Sequence, residues 1–390
     1  MRGNILIVGA GPAGMVLACM LAKNGVKVKI VDKRQHSSSI PRAINIASPV
    51  LKIFDDLGIG QRIGKNGLKL DELNVYWNKN PFININYKYY KPDYPYFFHL
   101  EQSKIECYLS DKLQSHGVHI KRAVSVNDIK VNPSDIHVNF SKLNGETWGE
   151  SFNYVIGCDG GNSTVRELAG IGCAQEKYPA HFMLIDGEII HQFKNKINHL
   201  HYYLSENGYL IVAPLANGKC RMIASVKGVQ SGKQTEGQIS EKFKEILLER
   251  APSNLKLNKI LWGTSGNYFH RIADVASKGN VFLAGDALHQ FSPVGGANMN
   301  VGVQDASSLG ERLLNEIRGK SSGKNLREYS NERLYVAWRY IKETASMTRL
   351  LTRYESINMS EHEKYLPNMK NRKYIKHTLP EMFSGDYFIN

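Results

Sequence analysis

Three glycine-bearing stretches of this 390-residue chain have the spacing needed to handle a nucleotide. The first is Gly9-Ala10-Gly11-Pro12-Ala13-Gly14, a G-x-G-x-x-G run directly after the apolar run Asn4 to Val8. Gly9 permits a tight turn, Gly11 lets a pyrophosphate approach the backbone, and Gly14 lets helix and strand pack closely. The N-terminus of the helix that follows offers N–H donors and a positive dipole to phosphates. Asp32 ends the next apolar run, followed by Lys33. A carboxylate at that place takes the ribose hydroxyls of an adenosine and favours an unphosphorylated ribose. The second stretch, Tyr154 to Arg166, carries Asp159-Gly160-Gly161 after an apolar strand. Asp159 sits where ligands bind in such sheets, and it suits a carboxylate capping its own turn equally well. The third stretch runs from Asn280 to Gly302 and holds Gly285-Asp286, Pro293, Gly295-Gly296 and Asn298-Met299-Asn300. Asp286 can accept bonds from polyol hydroxyls, while the loop and the helix start near Met299 offer N–H groups to an electron-rich carbonyl or anion.

The elements that must position these residues alternate between two patterns. Asn4–Val8, a helix over 12–24 and Val26–Val31 form a βαβ unit of about 30 residues. Helices are also expected over 48–58, 101–116, 238–250, 299–317 and 325–354; Asn24-Gly25 stops the helix over 12–24, Gly58 that over 48–58 and His116-Gly117 that over 101–116. Strands are expected at Val118–Val124, Ile136–Phe140, Phe152–Ile156, Tyr209–Ala213, Cys220–Val226 and Asn280–Ala284. Residues 73–99 are aromatic, β-branched and broken by proline, so they read as sheet outside the doubly wound core. The expected fold is α/β: a Rossmann-like nucleotide-binding domain from 1–72, 100–180 and 266–330, interleaved with a mainly antiparallel β domain from 73–99 and 181–265. A C-terminal helical tail spans 331–390.

Together the three motifs resemble the group A FAD-dependent monooxygenases, the superfamily of para-hydroxybenzoate hydroxylase, phenol hydroxylase and the polyketide aromatic hydroxylases. The resemblance runs from residue 4 to about 345. Pro41-Arg42-Ala43 is similar to the family's flavin-contacting arginine segment, and Leu100 to Glu106 to its Q-x-x-x-E segment, with Gln102 near the flavin. His181 to Asp186 resembles the strand entering the substrate domain. One departure is Ala297-Asn298 after Gly296, where the family often has Gln-Gly.

The resemblance implies one non-covalent FAD, with NADPH or NADH as a transient reductant and O₂ as co-substrate. It implies hydroxylation of a phenolic or polycyclic aromatic small molecule through a flavin C4a-hydroperoxide. Pro293 and Gly295 to Asn300 are then expected beside the flavin ring. His201, Tyr203, Tyr209, Arg221 and Trp262 are the candidates to reach the substrate, a Tyr or His helping to deprotonate a phenol and Arg221 holding a carboxylate. Each of them is more often a packed strand residue than a ligand contact, and Arg221 equally suits a surface position. A reductase or dehydrogenase on the same fold, needing FAD without inserting oxygen, is the nearest rival.

Composition narrows the field further. Lys and Arg number 50 against 36 Asp and Glu, a formal charge of +14, and apolar residues make up 42%. Such usage excludes collagen-like, mucin-like and wholly disordered chains. Five widely spaced cysteines without a CxxC argue against a disulfide framework, a Cys-based zinc site or a dithiol redox centre, and suit a reducing cytoplasm. No metal site is expected. The uncharged stretch Ile5 to Ala22 reads as a buried strand-turn-helix, because Gly9, Gly11, Pro12 and Gly14 interrupt an anchor. A monomer or homodimer without stable membrane insertion is expected. Tyr76, Trp77, Phe82, Tyr87, Tyr89, Tyr90 and Tyr94 interleave with Lys79, Lys88 and Lys91, a pattern that can bind single-stranded nucleic acid. A wall over an aromatic substrate explains the same residues, and no nucleic-acid partner is expected.

Overall fold

The computed structural model describes residues 4–37, 43–87, 96–190, 198–226, 235–293, 296–320 and 324–352. Its centre is a six-stranded sheet in the order Ser277–Lys278, Val281–Leu283, Tyr154–Gly157, Asn4–Val8, Lys27–Asp32, Lys121–Arg122. The last five strands run parallel, with Ile5 opposite Tyr154 on one side and Val28 on the other. Buried on both faces, such strands read as unbroken apolar runs, as Ile5 to Val8 does. Helix Pro12–Lys23 packs between helices Gln102–Ser115 and Ala297–Ile317. A three-stranded antiparallel sheet, Val124–Val131, Ile136–Lys142 and Thr147–Phe152, adds Phe140 and Phe152 to the same apolar core.

The second layer is an eight-stranded sheet. Its order is His289–Gln290, Lys256–Ala273, Cys173–Ile190, Lys219–Val226, Gly208–Pro214, His199–Ser205, Glu72–Trp77, Asn80–Asn86. Helix Glu236–Arg250 covers one face, burying Phe243, Ile246 and Leu247 against Met183, Ile185, Leu210, Val212 and Met222. The alternate residues Phe182, Leu184, Ile211 and Ile223 face a cleft. This period of two decides which side chains meet the site. The covering helix starts with a capping box: Thr235 Oγ1 accepts from Gln238 N–H at 3.3 Å, and Gln238 Oε1 accepts from Thr235 N–H at 2.9 Å. Thr235→Ala is expected to lower stability by about 1 kcal/mol in urea unfolding, with the fold unchanged.

Several elements differ from expectation. The strand expected at 152–156 is two strands of different sheets, parted at Asn153, whose N–H donates to Asn4 O at 2.9 Å. The strand expected at 118–124 breaks at Ala123, which takes φ 55° and bonds Arg34 O. Helix Gly60–Asn66 was not expected at all. Cys173–Ile190 and Lys256–Ala273 are continuous 18-residue strands. The expected boundaries at 180/181 and 265/266 therefore fall inside strands that pair along most of their length.

Candidate functional site

The C-terminal ends of the parallel strands and one face of the eight-stranded sheet enclose a continuous cleft of about 1010 Å³. Its first part is walled by backbone. Gly9 has φ 107° and donates its N–H to Val31 O at 2.8 Å. A methyl group on Gly9 would lie 2.2 Å from Cys158 O, and one on Gly14 would lie 2.0 Å from Gly9 O. A methyl group on Gly11 would meet nothing within 4 Å. Gly9 and Gly14 are thus dictated by packing, whereas Gly11 borders open space in the cleft. Helix Pro12–Lys23 starts at Gly11 without a side-chain cap, which leaves its first N–H groups for a ligand. Gly9, Gly11, Pro12 and Ala13 line the cleft; Gly14 lies behind them.

Asp32 is buried at the next strand end. Its carboxylate accepts from Ala10 N–H at 2.8 Å, from Arg34 N–H at 2.8 Å, and from Arg34 Nε and Nη2 at 3.0 and 2.9 Å. Burial alone would push this carboxyl up, but the Arg34 and Ala10 bonds hold it below the usual range. Four donors occupy both oxygens, so any further hydroxyl would compete with these bonds. Lys33 lies exposed at the rim. Asp159 lines the cleft and also caps its own turn, accepting from Ser163 Oγ and, at 3.1 Å, from Val165 N–H. Gln290 Nε2 donates to Asp286 at 2.9 Å.

Beneath Gly285 lies an arrangement that sequence reasoning missed. Fully buried Asp305 accepts from Gly285 N–H at 3.0 Å, from His289 Nε2 at 2.7 Å and from Arg333 Nε at 2.7 Å. Burial would raise this carboxyl, and His289 and Arg333 together hold it low. The motif Gly285-Asp286 is thereby tied to helix Lys324–Thr352, which contributes Arg333.

The third glycine loop ends at Gly296, in the left-handed conformation at φ 64°, and starts helix Ala297–Ile317 without a side-chain cap. Pro293, Gly296, Asn298 and Met299 line the cleft. Asn298 bonds both backbone groups of Phe291, at 2.7 and 2.8 Å. Asn300 points away from the cleft lining and ties Ala47, Asn45 and Gly296 together. Gln102 lines the cleft, donating to Glu106 at 2.7 Å and accepting from Ala43 N–H at 3.3 Å. Arg42 and Gly295 lie outside the described residues, as do Lys88, Tyr89, Tyr90, Lys91 and Tyr94.

The substrate-side candidates divide by strand parity. Arg221 and Trp262 line the cleft. His201 and Tyr203 do not: they stack with Tyr76 on the opposite face, Tyr76 and Tyr203 with ring centroids 4.7 Å apart, and Tyr76 Oη lies 3.3 Å from His201 Nδ1. Their neighbours Leu200 and Tyr202 face the cleft instead. Both faces of this strand are buried, so alternation in the sequence could not choose between them. Tyr209 is buried in the sheet, clear of the cleft lining, and its carbonyl accepts from Arg250. Arg221 is occupied by Asp186, at 2.7 Å from Nε and 2.8 Å from Nη2.

His99 was also missed, although it lies three residues before Gln102. It lines the cleft, and its Nδ1 lies 2.8 Å from Pro214 O. Burial pushes its imidazole down from 6.5 to about 4; the Pro214 bond opposes this and Arg221 adds to it. Between those pH values the unfolded chain binds a proton that the folded protein refuses. Stability is therefore expected to fall as pH drops from 6.5 towards 4, by up to about 3 kcal/mol from this residue. Urea unfolding at several pH values checks this, and His99→Gln should remove that part of the slope.

The glycine-walled part of the cleft and its aromatic-lined chamber are continuous, and the parallel-sheet fold around them is of the nucleotide-binding kind. The open space at Gly11 and two uncapped helix starts fit a nucleotide cofactor. The FAD binding domain family matches residues 2–344, and the chain belongs to that family. Pentachlorophenol 4-monooxygenase of Sphingobium chlorophenolicum is 27% identical over 349 residues, covering 89% of this chain and 64% of that protein. Rifampicin monooxygenase of Rhodococcus hoagii is 28% identical over 357 residues, covering 90% and 71%. The chain thus spans only part of the length of these relatives. Among solved structures, p-nitrophenol 4-monooxygenase from Pseudomonas putida matches with a TM-score of 0.82 at 20% identity, over 99% of this chain and 96% of that one. A ternary complex of aklavinone-11 hydroxylase with FAD and aklavinone matches at 0.78 and 20% identity, over 92% and 70%. The α/β fold and the resemblance to the group A FAD-dependent monooxygenases are borne out. No helix among the described residues is long and apolar enough to cross a membrane.

Proposed function

We propose that this protein is an FAD-dependent monooxygenase that uses NADPH or NADH and O₂ to hydroxylate a phenolic or polycyclic aromatic compound. The observation that carries this reading is the continuity of the cleft. One end is backbone and glycine, suited to a pyrophosphate; the other is walled by Tyr87, Phe97, Phe182, Tyr202 and Trp262, suited to a flat ring. Gly9 to Ala13 would hold the pyrophosphate, Asp32 the ribose, and Gly285-Asp286 with Gly296 to Met299 the flavin half. Bound there, FAD supplies the hydride acceptance and oxygen chemistry that no side chain can. The chain's own contribution is positional. The start of helix Ala297–Ile317 favours negative charge on a ring beside it. The apolar sheet face excludes water from the reacting centre. The relatives are named as monooxygenases of pentachlorophenol and rifampicin, the first a phenol, which supports the substrate class.

The test is oxidation of NADPH or NADH and uptake of O₂ by the purified yellow protein, against a panel of phenols with released peroxide measured. A phenol that accelerates oxidation and gains one oxygen atom supports the reading. Flavin reduction without oxygen insertion for every electron-rich ring would replace it by the reductase reading. A colourless protein unable to bind FAD would overturn both.

A further inference from the structure

His99 ends the Phe97–His99 strand, opposite Asn45. Asn45 in turn lies beside Gly296, its Cβ 3.5 Å from the position a methyl group there would take. On its other side the His99 ring meets Pro214, whose neighbour Ala213 pairs with Arg221. His99 therefore stands where the glycine loop of the cofactor half meets the sheet of the substrate half. A carbonyl oxygen only accepts, so the bond to Pro214 assigns the proton to Nδ1 and leaves Nε2 with a lone pair. No hydrogen bond to Nε2 is found among the described residues, and the buried ring lines the cleft.

The cation beside this ring, Arg221, which helps to hold His99 neutral, is itself paired. Asp186 and Arg221 face each other in direct register on adjacent strands, and their two bonds form a closed, buried pair. Arg221 thus offers no uncompensated cation. The rest of this wall, including Phe97, Phe182, Leu200, Tyr202 and Ile211, is mainly apolar. An anionic ring substituent placed here would lose its hydration without gaining a free counter-charge. Burial keeps His99 neutral at ordinary pH, which preserves its role as an acceptor.

We propose that His99 is the specificity-determining residue of this chamber: Nε2 accepts a hydrogen bond from the hydroxyl of an uncharged aromatic substrate, and the neutral surroundings reject aromatic carboxylates. This assignment rests on the hydroxylase reading for its substrate class and replaces the expectation that Arg221 anchors a carboxylate.

The test is equilibrium binding to the FAD-loaded protein, followed by the change in flavin absorption, with 2-naphthol, 2-methoxynaphthalene and 2-naphthoate. The methyl ether keeps the ring and oxygen but cannot donate. Wild-type protein should bind 2-naphthol roughly fivefold more tightly than the ether, and 2-naphthoate most weakly. His99→Phe should abolish the preference for naphthol over ether, while His99→Gln, which retains an acceptor, should keep part of it. Equal affinity of the wild type for naphthol and ether overturns the proposal, as does naphthoate binding as tightly as naphthol, or binding of none of the three. An equal loss for both uncharged ligands in His99→Phe would show a merely structural role. If that variant does not hold flavin, the wild-type ranking still decides. Because the titration needs no turnover, a wrong ranking counts against His99, whereas absence of oxygen insertion across the whole phenol panel counts against the hydroxylase reading.

Discussion

Gly14→Ala is expected to cost about 3 kcal/mol or more and to yield a protein that does not retain flavin, while Gly11→Ala folds normally and loses flavin. The two glycines belong to one motif, yet their surroundings are opposite. A methyl group on Gly14 would stand 2.0 Å from the Gly9 carbonyl oxygen. That oxygen is backbone in a turn already fixed by the Gly9 N–H bond to Val31, so neither side can yield cheaply. The helix would have to lift off the sheet. At Gly11 the backbone is extended, at φ −85° and ψ −179°, which alanine adopts freely, and no protein atom lies within 4 Å of the new carbon. Its stability should change by less than about 1 kcal/mol, in the stabilising direction if at all. The methyl group would occupy space assigned to the pyrophosphate, and FAD affinity should fall roughly tenfold or more. Urea unfolding of the apoprotein and titration with FAD separate the two effects. Equal behaviour of the two variants in both measurements would refute this division of roles.

Asp305→Ala is expected to destabilise the protein by about 3–5 kcal/mol. The substitution leaves the Arg333 guanidinium buried without its carboxylate and strips the acceptor from His289 Nε2 and from Gly285 N–H. Asp305 lies outside the cleft lining, so a purely structural role would lower stability and leave the residual FAD affinity of folded protein intact. The bond to Gly285 predicts more: the loop carrying Asp286 loses its tether, and FAD binding should weaken as well. Removing the charge in Asp305→Ala together with Arg333→Met should recover part of the stability without recovering FAD affinity, because Gly285 still lacks its acceptor. Recovery of both together would show that the tether is unimportant.

Much of the glycine-walled half of the cleft was legible because its requirements are local. A strand, a glycine turn and a helix start lie within 20 residues, and each glycine's chemistry depends on near neighbours in the chain. Asp32 followed from the same local logic, although Arg34, two residues on, had to be seen folded back to show that the carboxylate is already occupied. The sheet-walled half of the cleft was not legible in the same way. His201 and Tyr203 have suitable chemistry, but a strand buried on both faces gives each side an apolar pattern, and a shift of one residue exchanges the faces. Only helix Glu236–Arg250, lying over one side, decided that Leu200 and Tyr202 meet the cleft.

The sequence by itself determined the nucleotide-binding unit, the α/β class and the family, because short-range spacing and apolar periodicity carry them. Tertiary structure alone decided that Asp186 cancels Arg221, that Asp305 joins residues 285, 289 and 333, and that His99 meets Pro214 across 115 positions of the chain. Those pairings depend on which strands lie side by side, and strand order is set by long-range packing that leaves no mark at any one residue's own neighbours.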